Sequence, residues 1–198
     1  MARVTTLALA ILLGHVPAQA SPDGAAPREL VKRMTDAVVT LLDDAAKTTD
    51  ERRRGIEQIA RDNIDFSTLS RLVLTQWWAR LSAPDQKDFV EQFEKHLAVT
   101  YGRNFEHSHG ETVEVTGDRP EAGGDWTVAT RILRPGAESV AIDYRLRKTG
   151  ADWRVIDVLI EGVSLVSNFR SQFHEILSQG GTARLLQVLR EKNAAGEP

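Results

Sequence analysis

Two groups of side chains and one hydroxyl in this chain are of types that could do chemistry. "EHSHGE" sets His107 and His109 on one side of an extended segment, with Glu106 and Glu111 beside them. Two imidazoles and a carboxylate suit zinc. No second pair of ligands at metal spacing accompanies them, so the segment reads as a polar loop where a helix gives way to a strand, and no metal is expected. Asp143 and Asp157 fall within strand patterns, and strict alternation puts Asp157 on the face of Trp153, Val155 and Leu159. A carboxylate on an apolar face has its pKa raised and can act as a general base. Tyr144 or Tyr101 would then be the hydrogen-bond donor of an isomerase-like site. The competing role for Asp157 is an ion pair with Arg145 or Arg147 on the next strand. Register decides between them, because a one-residue slip reverses every side chain. We expect the structural role, and no catalytic group. Ser164 lies in "EGVSLV", which is not a G-x-S-x-G elbow, so its hydroxyl is expected to cap a helix. The run "ERRRG" at 51–55 reads as a solvated helix face, and nothing in the chain calls for a cofactor.

A helical first half and a stranded second half must position these residues. Leu30, Met34, Val38 and Leu41 recur at helical spacing between Arg28 and Ala46, and Ile56 and Ile59 mark a shorter helix from Asp50 to Arg61. A break at Asn63–Asp65 precedes a third helix with Leu69, Leu72 and Val73. In "SAPDQKDF", Ser82 is an N-cap, Pro84 falls in the first turn, and Asp85 stands where a capping-box acid belongs. The helix so opened carries Phe89, Phe93, Leu97, Tyr101 and Phe105, each four residues apart. At Gly110 the period drops to two. Val113 and Val115 alternate first, then Trp126, Val128, Thr130 and Ile132, then Val140, Ile142, Tyr144 and Leu146, and a last strand spans 153–162. Gly117–Asp125, "RPGAE" and "KTGAD" are the turns between them. Two helices end the chain, the first with Leu165, Phe169, Phe173 and Ile176 up to Gly180-Gly181, the second with Leu185, Leu186 and Leu189. The fold class is α+β, a curved four-stranded antiparallel sheet with helices on one face.

The first twenty residues stand apart from this domain. Arg3, an apolar run from Leu7 to Leu13 and Ala18-Gln19-Ala20 have the layout of a cleaved secretory signal. The run is too short to span a bilayer. The expected organisation is a signal peptide at 1–20, a flexible lead-in at 21–27 and one domain at 28–193. Of 25 basic and 28 acidic residues only Arg3 leaves with the signal, so the mature charge is 24 − 28 = −4. Such a chain lacks the basic surplus of a nucleic-acid binder, and none is expected as a partner. It has no cysteine, so neither a lipidated cysteine nor a disulfide is available, and stability must come from burial.

The last strand is apolar on both faces, with Trp153, Val155 and Leu159 on one and Ile156, Val158 and Ile160 on the other. A surface strand normally shows water one polar face. Together with the aromatic helix stripes, this leaves the sheet more apolar surface than a packed core consumes, which suits a deep apolar cavity. Here the chain resembles a known family. "YRLRKTGADWRVIDVLIEGVSLVSNFRSQF" (144–173) is similar to the signature of the MlaC, or toluene-tolerance auxiliary, family. That signature has a Tyr-Arg strand, a Trp-x-Val strand running into Glu-Gly-Val-Ser, then Asn-Tyr-Arg-Ser-x-Phe. "IDFSTLSRLVLTQWWARLSAPDQKDFVEQFEKHLAVTYG" (64–102) extends the likeness upstream, so that it covers about residues 28–192. Phe169 stands where the family usually has Tyr, and "LVLTQWW" lacks the usual Leu-Gly before the Trp.

The resemblance implies a periplasmic phospholipid carrier on a nuclear-transport-factor-2-like cone. It implies an inner-membrane ABC transporter with an MCE-domain protein and an outer-membrane lipoprotein–porin complex as partners. Relatives in hopanoid gene neighbourhoods leave the lipid species open. On such a cone the stripe 89–105 and the strand 153–163 approach each other. Phe93, Leu97, Tyr101, Tyr144, Val155, Leu159 and Val163 are then expected to line the acyl site, with Phe169 and Phe173 closing one wall.

Overall fold

A computed structural model of the chain describes residues 22–102 and 110–198. Among these residues five α-helices and five strands follow in the order expected, helices first. Helix α1 (Pro22–Asp43) begins earlier than expected and takes in most of the lead-in, with Pro27 inside it. The helix α2 (Thr49–Asn63) opens on a full capping box between Thr48 and Glu51. Asp65 caps α3 (Phe66–Leu74), and a 3-10 turn (Thr75–Arg80) leads on to α4 (Ala83–Gly102). Ser82 and Asp85 form the expected cap of α4: the Asp85 amide donates to the Ser82 hydroxyl, which donates to the Asp85 carboxylate at 2.6 Å. Phe105 and the segment containing Glu106, His107 and His109 lie outside the described residues, as does the signal segment.

Strands β1 (Thr112–Pro120), β2 (Trp126–Leu133), β3 (Val140–Thr149), β4 (Asp152–Ile160) and β5 (Val163–Ser164) form one antiparallel sheet in that order. The sheet therefore has five strands rather than the four expected. The fifth is two residues long, too short to show a period in the sequence. It exists because Glu161 and Gly162 both adopt positive φ, the backbone of a two-residue hairpin turn. Glu161 is held there by the Ala141 amide, which donates to its carboxylate, and by its own amide, which donates to the Ala141 carbonyl. Strand β1 runs three residues past the expected turn at Gly117. A bulge between Val115 and Gly117 absorbs Thr116 and lets pairing resume through Pro120.

Helix α5 (Leu165–Ala195) closes the fold. Gly181, at φ 66° and ψ −166°, breaks it at the glycine pair, in a conformation open essentially to glycine alone. Two cores result. One joins α3, α4 and α5 around Phe89, Phe93, Phe169 and Phe173, whose rings meet at 5.1–6.1 Å. The other packs Val31 and Met34 of α1 on Trp126, Val128, Leu146 and Val155 of the sheet. Ile64 touches both and ties them, pairing with Val155 while the Asp65 amide donates to the Val155 carbonyl at 2.9 Å.

Candidate functional site

Residues directly opposite one another in an antiparallel pair share a face, so the register of β4 decides what its apolar residues do. Val158 pairs with Tyr144 and Ile160 with Ile142, but Val155 pairs with Leu146 and Trp153 with Lys148. A bulge at Ile156 separates the two sets and restores parity. Trp153, Val155, Val158 and Ile160 therefore lie on one face, the face that α1 covers. Arg154, Asp157 and Leu159 lie on the other. The expected split, with Val155 and Leu159 together, is corrected by that single extra residue.

Among the described residues the α1-side face is not closed along its whole length. Its packed end holds Trp126, Val128, Leu146 and Val155, with Tyr144 and Val158 half-buried against them. Beyond these the face continues through Ile132, Val140, Ile142 and Ile160, contiguous across three strands. All four are half-buried, and none packs against either core of the described residues. Thr130 in their midst is satisfied, its hydroxyl donating to the Ile142 carbonyl at 2.7 Å. Val163, paired with Ile160, ends this row at 58% exposure, the most exposed large apolar side chain described. The Tyr144 hydroxyl borders the patch and makes no hydrogen bond to a described residue. Burial pushes its pKa up to about 12.

The nine expected lining residues do not share one surface. Tyr144 and Val163 border the open patch. Leu97 and Tyr101 lie half-buried along the helical core, and the Tyr101 hydroxyl meets Asn168 near the start of α5. Val155 is fully buried under α1, and Leu159 is on the opposite face. Phe93, Phe169 and Phe173 are buried in the closed aromatic cluster. The expected lining did not include Ile132, Val140, Ile142 or Ile160, which form the open row. The first three are visible as strand alternation, whereas strict alternation separates Ile160 from Trp153 and Val155, with which the bulge aligns it.

The candidate base has a structural set of partners. Asp157 is 6% exposed. It accepts from the Val158 amide at 2.9 Å, the Ser164 hydroxyl at 2.6 Å and the Val166 amide at 3.1 Å. Ser164 in turn caps α5 by accepting from Ser167. Asp157 thus supports the N-terminus of α5, where a carboxylate meets free amides and the positive end of the dipole. The ion pair expected between Asp157 and Arg145 or Arg147 does not form, although Arg145 lies opposite Asp157 in the register. Both arginines hold Asp125, 1% exposed: Arg147 in a two-pronged contact at 2.6 and 2.8 Å, Arg145 at 2.9 Å. The Arg147 hydrogen bond outweighs burial and lowers the Asp125 pKa. Asp143 pairs across the sheet with Ala129 and Leu159, with no tyrosine opposite it. No cluster of three or more metal-ligating side chains occurs among the described residues.

The fold thus joins an open apolar row on the sheet to buried acids that are committed to structure. Residues 32–191 match the sequence profile of the MlaC protein family, and the chain belongs to it. Family membership sets it among proteins that are not enzymes. The chain is similar to a phospholipid-binding protein from Ralstonia solanacearum, solved in complex with a phospholipid. Identity is 25%, the TM-score is 0.79, and the likeness covers 87% of this chain and 99% of that one. It is also similar to the toluene tolerance protein ttg2D of Pseudomonas putida, 23% identical over 119 residues or 60% of this chain. That match spans 55% of the relative's own length. Among the described residues no helix is long and apolar enough to cross a membrane.

Proposed function

We propose that this protein is a periplasmic carrier that holds a phospholipid by its acyl chains. It exchanges that lipid with an inner-membrane ABC transporter bearing an MCE-domain protein and with an outer-membrane lipoprotein–porin complex. The observation that carries the reading is the phospholipid bound to the relative from Ralstonia solanacearum, together with the fold shared over nearly all of that chain. The open row on the α1 side of the sheet supports it. Each buried methylene is worth about 0.8 kcal/mol, so a two-chain lipid crosses water only inside an apolar receptor. Ile132, Val140, Ile142, Tyr144, Ile160 and Val163 supply such a surface, and Leu97 and Tyr101 form the helical side of the site. The sheet then acts as the wall of a cone in the manner of nuclear transport factor 2. Phe93, Phe169 and Phe173 stiffen it from behind rather than touch the tails. Residues 1–20 direct export and are removed, leaving the domain at 28–193.

The test is organic extraction and mass spectrometry of protein purified from the periplasm of its native host. About one phospholipid per chain is expected, falling several-fold in Ile142→Trp while the delipidated variant keeps its melting temperature. Protein recovered without lipid, or with full lipid in Ile142→Trp, would overturn the reading.

A further inference from the structure

We propose that the α1–α2 hairpin is a hinged wall of the lipid site, swinging about its base to admit and release the lipid, with the Asp43 carboxylate as the latch at its tip. This role rests on the carrier reading above and adds to it the element that moves. Helix α1 runs antiparallel to β1. Near its start the Arg28 guanidinium meets the Asp118 carboxylate at 3.2 Å, and at its end Asp43 accepts from the Gly110 amide at 3.0 Å. Gly110 lies just before β1, whose first residue pairs with Leu133, the neighbour of Ile132 in the open row. Helix α2 then returns to the packed end, where Ile64 pairs with Val155. The tip of the hairpin therefore lies at the same end of the sheet as the open row, and its base stands over the packed core.

The faces of the two helices agree with this placement. Val38 continues the stripe of Val31 and Met34, which packs on the sheet, and Ile56 stands one turn before Ile59, which joins the same core. Val38 and Ile56 thus point the same way as those neighbours, yet both are half-buried and belong to neither core. Apolar side chains on the hairpin and on the open row confront each other without packing, which leaves room between them for acyl chains. The attachments of the hairpin are concentrated at its base. There Arg28 holds Asp118, Arg61 meets Glu94 of α4 at 2.6 Å, Arg154 donates to the Asp62 carbonyl, and the Asp65 amide donates to the Val155 carbonyl at 2.9 Å. Among the described residues, Asp43 on Gly110 is the one hydrogen bond that ties the tip to the rest of the fold. Within the tip the two helices hold each other. The Arg52 guanidinium donates to the Asp44 carbonyl at 3.0 Å, and a Cβ on Gly55 would stand 2.4 Å from Leu41 Cδ2, so α2 touches α1 with no space to spare. The tip therefore moves as one body. None of the α2 residues is buried, and elements with few buried contacts are the first to open. Opening of such a wall sets the rate at which an enclosed ligand leaves.

Pyrene-labelled phosphatidylglycerol, loaded into the mature protein and chased into unlabelled phosphatidylglycerol vesicles, reads the release rate. Asp43→Ala should release lipid about three- to tenfold faster, the effect of one exposed hydrogen bond. Asp43→Asn keeps an acceptor and should stay near wild type. The chain has no cysteine, so Asp43→Cys combined with Gly110→Cys can be joined by a short bismaleimide after loading. The bridged protein should nearly stop releasing lipid, whereas the same variant capped with N-ethylmaleimide should release it at least as fast as wild type. Hydrogen exchange of the lipid-free protein follows the motion separately. Amides of residues 53–58 should exchange ahead of those of residues 69–74, and the bridge should slow the first group. Equal release from bridged and capped protein, an unchanged rate in Asp43→Ala, or exchange of both segments together would overturn the proposal. Wild-type protein that takes up no labelled lipid, while the exchange pattern holds, would instead overturn the carrier reading and the hairpin's part in it.

Discussion

Replacing Asp157 separates a structural carboxylate from a catalytic one by magnitude. Of its three hydrogen bonds, that from Val158 is local and its donor can find another partner. The two that join elements come from Ser164 and Val166. Val166 is buried, so in Asp157→Ala its amide is left without a partner away from water, at about 2 kcal/mol. Ser164 is half-buried and regains water, so its loss costs about 1 kcal/mol. The expected total is about 3 kcal/mol, or a fall in Tm of roughly 6–12 °C for a domain of this size. Asp157→Asn keeps an acceptor for Val166 and loses only the Ser164 bond, so about 1 kcal/mol is expected. Urea titration of delipidated protein followed by circular dichroism measures both variants. Phospholipid content of the folded fraction should be unchanged in each. An alanine variant within 0.5 kcal/mol of wild type, or an asparagine variant as damaged as the alanine one, would refute the helix-capping account.

Three further outcomes are expected. Phe93 is fully buried against three other phenylalanines, so Phe93→Ala should cost about 3–5 kcal/mol, measured by the same titration. Val155→Trp should also destabilise, because Val155 is closed under α1, whereas Ile160→Trp on the open row should lower bound lipid with little change in Tm. The pH profile of stability should show two separate windows. Burial, then nearby Lys192, lowers the pKa of His96, so the unfolded chain takes up the proton first. This stability is present above the ordinary imidazole value near 6.5 and falls as pH drops below it; His96→Gln should flatten that part. Asp125, whose pKa Arg147 lowers, contributes stability that is present above the ordinary carboxylate value and lost in stronger acid. Asp125→Ala should remove about 1–2 kcal/mol at neutral pH, discounted because both arginines are partly solvated.

Much of the fold was legible because its signals are local. Capping boxes, hairpin glycines and apolar spacing depend on residues within a turn or two of one another. They placed α2 to α4, the break at Gly181, the Ser164 cap and the strand order. Ile132, Val140 and Ile142 on the open row were likewise visible as alternation. What the sequence could not carry was parity. Strict alternation assigns Val155 and Leu159 to one face, but the bulge at Ile156 separates them, and a bulge is chosen by what both ends of a strand must pair with. The same step turns Asp157 away from the α1 side and toward the start of α5, where Ser164 and the Val166 amide need an acceptor. Arg145 lies directly opposite Asp157 in that register, yet it joins Arg147 on Asp125, two strands distant. In the same way, an i, i+4 aromatic stripe fixes one face of a helix but not what meets it. Phe93 found Phe169 and Phe173 rather than the sheet, because α5 folds back onto α4 after β5. Sequence alone determined which residues are apolar and in which elements; tertiary pairing decided which of those surfaces closed on protein and which stayed open.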